Sequence, residues 1–230
     1  MILAFSPFTL AQSVKITPKT VTYKRPKPLM DFKKTFKITY PKVSGLSPAL
    51  NKKVENAISY AKVFQLNVKE EINEIQWLEE ASFDINYNKN GLLDISLMIE
   101  GSAAYPSGST RYVVVDLKTG TQIKPSDVFV NLPALVAECK KAQEKEVQNA
   151  MVEIKKDNPE EDPKSLFENT DFKVADLKEF TISDEGLTFL YDYGFPHVIQ
   201  ALQPDGRYFF SWKEMKPFIK RGGAFEKFIR

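Results

Sequence analysis

The chain has 230 residues, 43% of them hydrophobic and 27% charged, with 17 Phe and 9 Tyr, enough for one substantial core or two small ones. Such a composition excludes a disordered or collagen-like chain. A formal net charge of +2 excludes a global electrostatic pull toward nucleic acid or anionic membrane, leaving local patches as the only source of one.

Residues 1–11 read MILAFSPFTLA, an apolar run ending in small residues, with Thr9 and Ala11 placed as a signal-peptidase site before Gln12 requires. Two readings fit: a signal-peptide remnant whose basic start lies upstream, or a buried N-terminal strand. Pro7 counts against the strand, because proline removes a ladder donor. No other window approaches the ~20 apolar residues of a membrane helix. The expected location is periplasmic or secreted.

Residues 12–34 form an expected basic leader, with Pro18, Pro26 and Pro28 among Lys15, Lys19, Lys24, Arg25, Lys27, Lys33 and Lys34, against one acid, Asp31. Proline disfavours helix at and before itself, so the leader should be extended and exposed. It is either a solvated linker or a contact for an anionic wall polymer or phospholipid surface.

Residues 35–125 read as a first α/β portion. Thr35–Tyr40 alternates as a strand. Ser47-Pro48 then starts a helix whose apolar positions Leu50, Val54, Ala57, Ile58 and Ala61 carry it to at least Lys62, and Phe64, Val68, Ile72 and Ile75 keep the rhythm toward Trp77. Phe83, Ile85 and Tyr87 alternate, Asn90-Gly91 signals a hairpin, and Leu93, Ile95, Leu97 and Ile99 alternate again. After the loop 101–108, Arg111–Leu117 reads as a third strand, ending at the turn Lys118–Gly120.

Residues 126–230 supply the rest of the same compact body. Asn131 and Pro133 open a long helix with Leu135, Val136, Cys139, Ala142, Val147, Ala150, Met151 and Ile154 as its buried stripe. The acidic stretch 157–164 breaks it. That stretch lacks the ligand spacing and glycine of an EF-hand loop and reads as a solvated loop. Strands follow at Phe180–Ile182, Leu187–Tyr193 and Arg207–Trp212. Ser211 and Glu214 then form a capping box before a short helix stopped by Gly222-Gly223. The fold class is α+β: antiparallel sheets of hairpins packed against two longer helices and a short C-terminal one, with little sign of βαβ alternation.

Chemistry is sparse. Cys139, the single cysteine, lies on an apolar helix face and reads as a core thiol; one cysteine excludes an intramolecular disulfide and a multi-thiolate zinc site. His197 is the single histidine, so a multi-histidine metal site is excluded. No phosphate loop or dinucleotide fingerprint is present, and no cofactor or metal is expected. Two loops carry binding vocabulary instead: 104–111, with Tyr105, Ser107 and Arg111, and 191–200, with Tyr193, His197 and Gln200. Those six residues are the candidate ligand contacts; the alternative is that the tyrosines brace the two loops.

The series Ile38–Leu46 with the helix after it, Asp94–Leu97, Gly101–Pro106, Val115–Gly120 with Ser126–Phe129, Phe180–Gly186 running into Tyr191, and Phe209–Met215 resembles the extracytoplasmic domain of RsiV-type anti-sigma factors and PdaC-type peptidoglycan deacetylases. The resemblance covers residues 35–220. It implies an α+β domain outside the membrane that, in RsiV-like members, senses a muramidase, catalysis in the deacetylases residing in a separate domain. This chain departs from the pattern in carrying Tyr105 where histidine is common, and in its run His197–Ala201. The expected function is a non-enzymatic exported binding domain for a cell-wall glycan or a wall-degrading enzyme, without nucleic acid. The alternatives are a carboxylate-based glycan hydrolase and a structural accessory subunit of an envelope complex.

Overall fold

The computed structural model describes residues 13–157, 160 and 162–230; the signal-peptide reading of residues 1–11 and part of the acidic stretch fall outside them. The chain divides into two compact units after Ile123.

The first unit is a six-stranded sheet in sequential order: β1 (Lys15–Lys24), β2 (Thr35–Ser44), β3 (Leu78–Lys89), β4 (Leu92–Ser102), β5 (Pro106–Asp116) and β6 (Thr121–Gln122). All neighbours pair antiparallel except β2 and β3, which run parallel through Lys37↔Glu80 and Ile38↔Ala81. The connection between that pair holds α1 (Pro48–Ala57), α2 (Tyr60–Val63) and α3 (Val68–Asn73), so one βαβ unit sits inside an antiparallel plan.

Two expectations change here. The helix expected to run through Lys62 and beyond is three short helices. Ser59 and Asn67 cap the second and third, their side chains accepting from the amides of Lys62 and Lys69. Gln65 and Gln76 take left-handed φ of 57° and 49°, which no helix continues through. The basic leader of residues 12–34 differs too. Ten of its residues pair with β2 along their full length, and Arg25 and Lys33 are buried.

One face of this sheet is apolar because strand side chains alternate. Phe36, Ile38, Ala81, Leu93, Ile95, Leu97, Val113 and Val115 pack against Val54, Ala57, Ile58 and Tyr60 of the helical connection. Asn90 and Gly91, with φ of 58° and 71°, make the β3–β4 turn that their dipeptide announces.

The second unit has α4 (Pro125–Val128), the long α5 (Leu132–Asp157), a three-stranded antiparallel sheet β7 (Phe180–Ile182), β8 (Gly186–Leu190) and β9 (Arg207–Ser211), and α6 (Trp212–Met215). Asn131, at φ 50°, turns the chain into α5, and its carbonyl accepts from the Ala134 and Leu135 amides. Leu135, Val136, Cys139 and Ile154 are buried, whereas Ala142, Val147, Ala150 and Met151 are half-covered. The core is aromatic: Phe129 lies within 6 Å of Phe180, Phe189 and Phe225, and Trp212 stacks on Phe228 at 4.2 Å. The Ser211–Glu214 capping box forms as read, the Ser211 hydroxyl accepting from the Glu214 amide.

Candidate functional site

In the first unit, β4 and β5 stay paired beyond the end of the helical cover. Directly opposed residues share a face, so Val115, Val113, Arg111, Ser109 and Ser107 line up on the core side, opposite Leu93, Ile95, Leu97, Ile99 and Gly101. Val115 and Val113 are buried, Arg111 and Ser107 exposed and Ser109 half-exposed, so on β5 the cover ends between Val113 and Arg111, while Leu97 and Gly101 opposite stay buried. The same face emerges there as a platform.

Trp77 completes it. A Cβ on Gly101 would stand 2.8 Å from the Trp77 ring, so the half-buried indole lies over the one residue of β4 that leaves room for it. Its Nε1 donates to the Ser107 hydroxyl at 3.2 Å. Tyr105 projects from the β4–β5 turn at 70% exposure. The platform thus presents an indole edge, hydroxyls, a guanidinium and a phenol. Flat aromatic surfaces meet the apolar faces of sugars, and hydroxyls and guanidinium hydrogen-bond their rims. Trp77 was not among the six residues read from sequence. Its signal was a tryptophan at the end of an apolar rhythm, which core packing explained equally well.

The other three predicted contacts lie in the second unit and do not form one surface among themselves. Tyr193 is buried. Its hydroxyl donates to Glu146 Oε2 at 2.9 Å and lies 2.9 Å from the Tyr208 hydroxyl, which donates to the same oxygen at 3.0 Å. Glu146 Oε1 accepts from the Gly206 amide at 2.9 Å. Tyr193 therefore braces the loop from within: a phenol with its one proton engaged and its ring against Tyr191 and Phe167 is not presented to a ligand. Burial, above all, holds the phenols of Tyr193 and Tyr208 well above the ordinary tyrosine range. His197 and Gln200 sit exposed, three apart on the 3-10 helix His197–Leu202, which places them on one side of it.

The one thiol is placed for structure. Cys139 is fully buried, and burial, with Glu138 adding, pushes its thiol up to about 12. Among the described residues no three His, Cys, Asp or Glu side chains are grouped to hold a metal. No described helix is long and apolar enough to cross a membrane. One cavity of about 300 Å³ is lined by Tyr40, Lys42, Lys52 and Glu55, one of about 270 Å³ by Lys145, Glu146, Arg207 and Tyr208, and a largely apolar one of about 330 Å³ by Met151, Val152, Lys155 and Pro163. None of the three is lined by the six predicted contacts.

No family model matches the chain, and no curated protein is similar to it in sequence. Solved structures similar in fold include two DUF3298 proteins. A DUF3298 family member from Bacteroides fragilis NCTC 9343 has a TM-score of 0.58 at 12% identity, over 94% of this chain and 99% of that one. A DUF3298 family protein from Pseudomonas aeruginosa PAO1 has a TM-score of 0.55 at 11% identity, over 92% and 96%. At such identities the likeness is one of backbone architecture, and the α+β fold of this chain is the fold of those two DUF3298 structures along nearly its whole length.

Proposed function

We propose that the chain is a non-catalytic, exported binding domain that recognises a cell-wall glycan through the outer half of the β4–β5 hairpin. The observation that carries this reading is the exposed end of β5, where Trp77 is fixed over Gly101 and tied to Ser107, with Tyr105 in the adjoining turn and Arg111 further along the same face. An aromatic surface rigidly held next to polar rim groups loses little freedom on binding. The earlier resemblance to RsiV- and PdaC-type domains supports an envelope setting, and it favours a wall-degrading enzyme as the competing partner on the same surface.

The test is capture by the purified chain of insoluble peptidoglycan on one hand and of soluble envelope protein on the other. Wild type should sediment with the glycan, and Tyr105→Ala/Arg111→Ala, changes on exposed positions, should weaken it at least about tenfold. Capture untouched by the double substitution rejects the surface, and capture of protein alone selects the competing partner. A hydrolase reading has one observation of its own, since Glu80 and Glu100 stand directly opposite each other on exposed strand positions. Release of soluble wall fragments that Glu100→Gln abolishes would establish that reading and displace the binding one.

A further inference from the structure

The connection from β1 to β2 inverts the usual placement of side chains. Arg25 and Lys33 are each 4% exposed, while Leu29, Met30 and Phe32 between them are 69%, 50% and 68% exposed. Polar groups hold the segment from inside. Arg25 donates through Nε to the Glu71 carbonyl at 2.9 Å, through Nη1 to the Lys33 carbonyl at 3.1 Å and through Nη2 to the Leu78 carbonyl at 2.6 Å, and its guanidinium lies 4.5 Å from the Phe36 ring centre. Lys33 Nζ donates to the carbonyls of Gln76, at 2.8 Å, and Ser102. The Gln76 amide side chain accepts from the Leu29 amide at 2.9 Å and donates to the Lys27 carbonyl at 2.8 Å.

A connection that only had to join two strands would gain by turning its apolar side chains inward and its cations outward. This one turns Arg25 and Lys33 inward and Leu29, Met30 and Phe32 outward, and is fixed in that state by buried hydrogen bonds. Gln76 also ties in the stretch carrying Ile75, itself 54% exposed, which enlarges the apolar tip. Beside the tip stand the exposed cations Lys24, Lys27 and Lys34, against Asp31, which pairs with Lys34 at 3.3 Å, while Lys37 lies further along β2 in register with the exposed Glu80. Acids also lie nearby: Glu70 on α3 and Glu74 just after it are exposed, and Glu79 stands 4.0 Å from Lys33 Nζ. Leu, Met and Phe at a protruding tip, with lysines on long stems beside it, suit a medium that is apolar inside and anionic at its surface.

We propose that residues 27–32, with Ile75, form an interfacial anchor that enters the headgroup region of an anionic phospholipid bilayer, with Lys24, Lys27 and Lys34 meeting lipid phosphates. The anchor adjoins the glycan platform, since Ile75 and Gln76 precede Trp77 and Lys33 donates to the Ser102 carbonyl, but neither reading depends on the other. Each lysine adds a modest, salt-screened attraction, and the apolar side chains supply the remainder. The affinity is therefore moderate and reversible.

The experiment is co-sedimentation of the full chain with vesicles of mixed phosphatidylglycerol and phosphatidylcholine, beside vesicles of phosphatidylcholine alone. Wild type should partition onto the anionic vesicles and much less onto the neutral ones. Leu29→Ser/Phe32→Ser, on positions already in water, should weaken partitioning at least about tenfold with an unchanged circular dichroism spectrum. Leu29→Trp should gain a blue-shifted emission when anionic vesicles are added. Absence of wild-type partitioning overturns the proposal. Equal partitioning of the double variant overturns it as well, by assigning the lipid contact to another segment, and so does a tip that captures a protein while ignoring vesicles.

Discussion

Glu146 satisfies three donors from one carboxylate: the hydroxyls of Tyr193 and Tyr208 and the amide of Gly206. Glu146→Ala removes the acceptor while two phenols stay buried, and the loss should be roughly 3 kcal/mol in urea unfolding, with Glu146→Gln recovering part of it. A second residue-scale effect concerns alkaline pH. The Cys139 thiol ionises ordinarily at 9.0 and is pushed up to about 12 in the folded chain. Its contribution is complete below pH 9.0 and is lost as pH rises toward about 12, by roughly 1.4 kcal/mol per pH unit. Above the ordinary tyrosine value of 10.0, Tyr40, Tyr60, Tyr193 and Tyr208 add to the decline in the same direction, since burial holds each of them high. Stability followed by urea midpoint should therefore begin to fall near pH 9, and Cys139→Ala should delay the onset to about pH 10. Tyr193 also shows why its part of the site was illegible: its partner Glu146 lies 47 residues away, and no local pattern announces such a pairing.

At the scale of elements, two glycines separate two physical causes. Gly91 has φ of 71° with nothing within 4 Å of an added Cβ, so Gly91→Ala meets only the left-handed penalty of about 1 kcal/mol. At Gly101 the Cβ would stand 2.1 Å from the Trp77 carbonyl oxygen, and Gly101→Ala should cost about 3 kcal/mol or more and displace the indole. Thermal unfolding and Trp77 fluorescence check both. Elements marked by side-chain chemistry were readable: Asn90-Gly91 gave the hairpin, and Ser211 with Glu214 gave the cap of α6. The helical connection was misread because a four-residue apolar rhythm survives interruption. Ser59 and Asn67, both good caps, were the overlooked stops. β1 was missed because its proline and lysines obscure alternation. The exposed half of the site, Tyr105 with Ser107 and Arg111, could be found as a loop composition. The indole that organises it could not, since it depends on Gly101 facing Ser107 across the strand pair.

On the scale of the whole molecule, the two units each have their own core and one tryptophan each, Trp77 in the first and Trp212 in the second. With Trp77→Phe the emission reports the second unit, and with Trp212→Phe the first. Glu146→Ala should lower the urea midpoint seen by Trp212 more than that seen by Trp77, and equal shifts would mean that the chain unfolds as one cooperative body. The boundary strand of the larger sheet has a further consequence. Among the described residues β1 ends the strand order, and it carries Lys15, Pro18, Lys19 and Lys24 along that edge. Ammonium groups repel an incoming strand and the proline ring withholds an N–H, so a crowded solution of this chain is denied the seam along which fibrils zip.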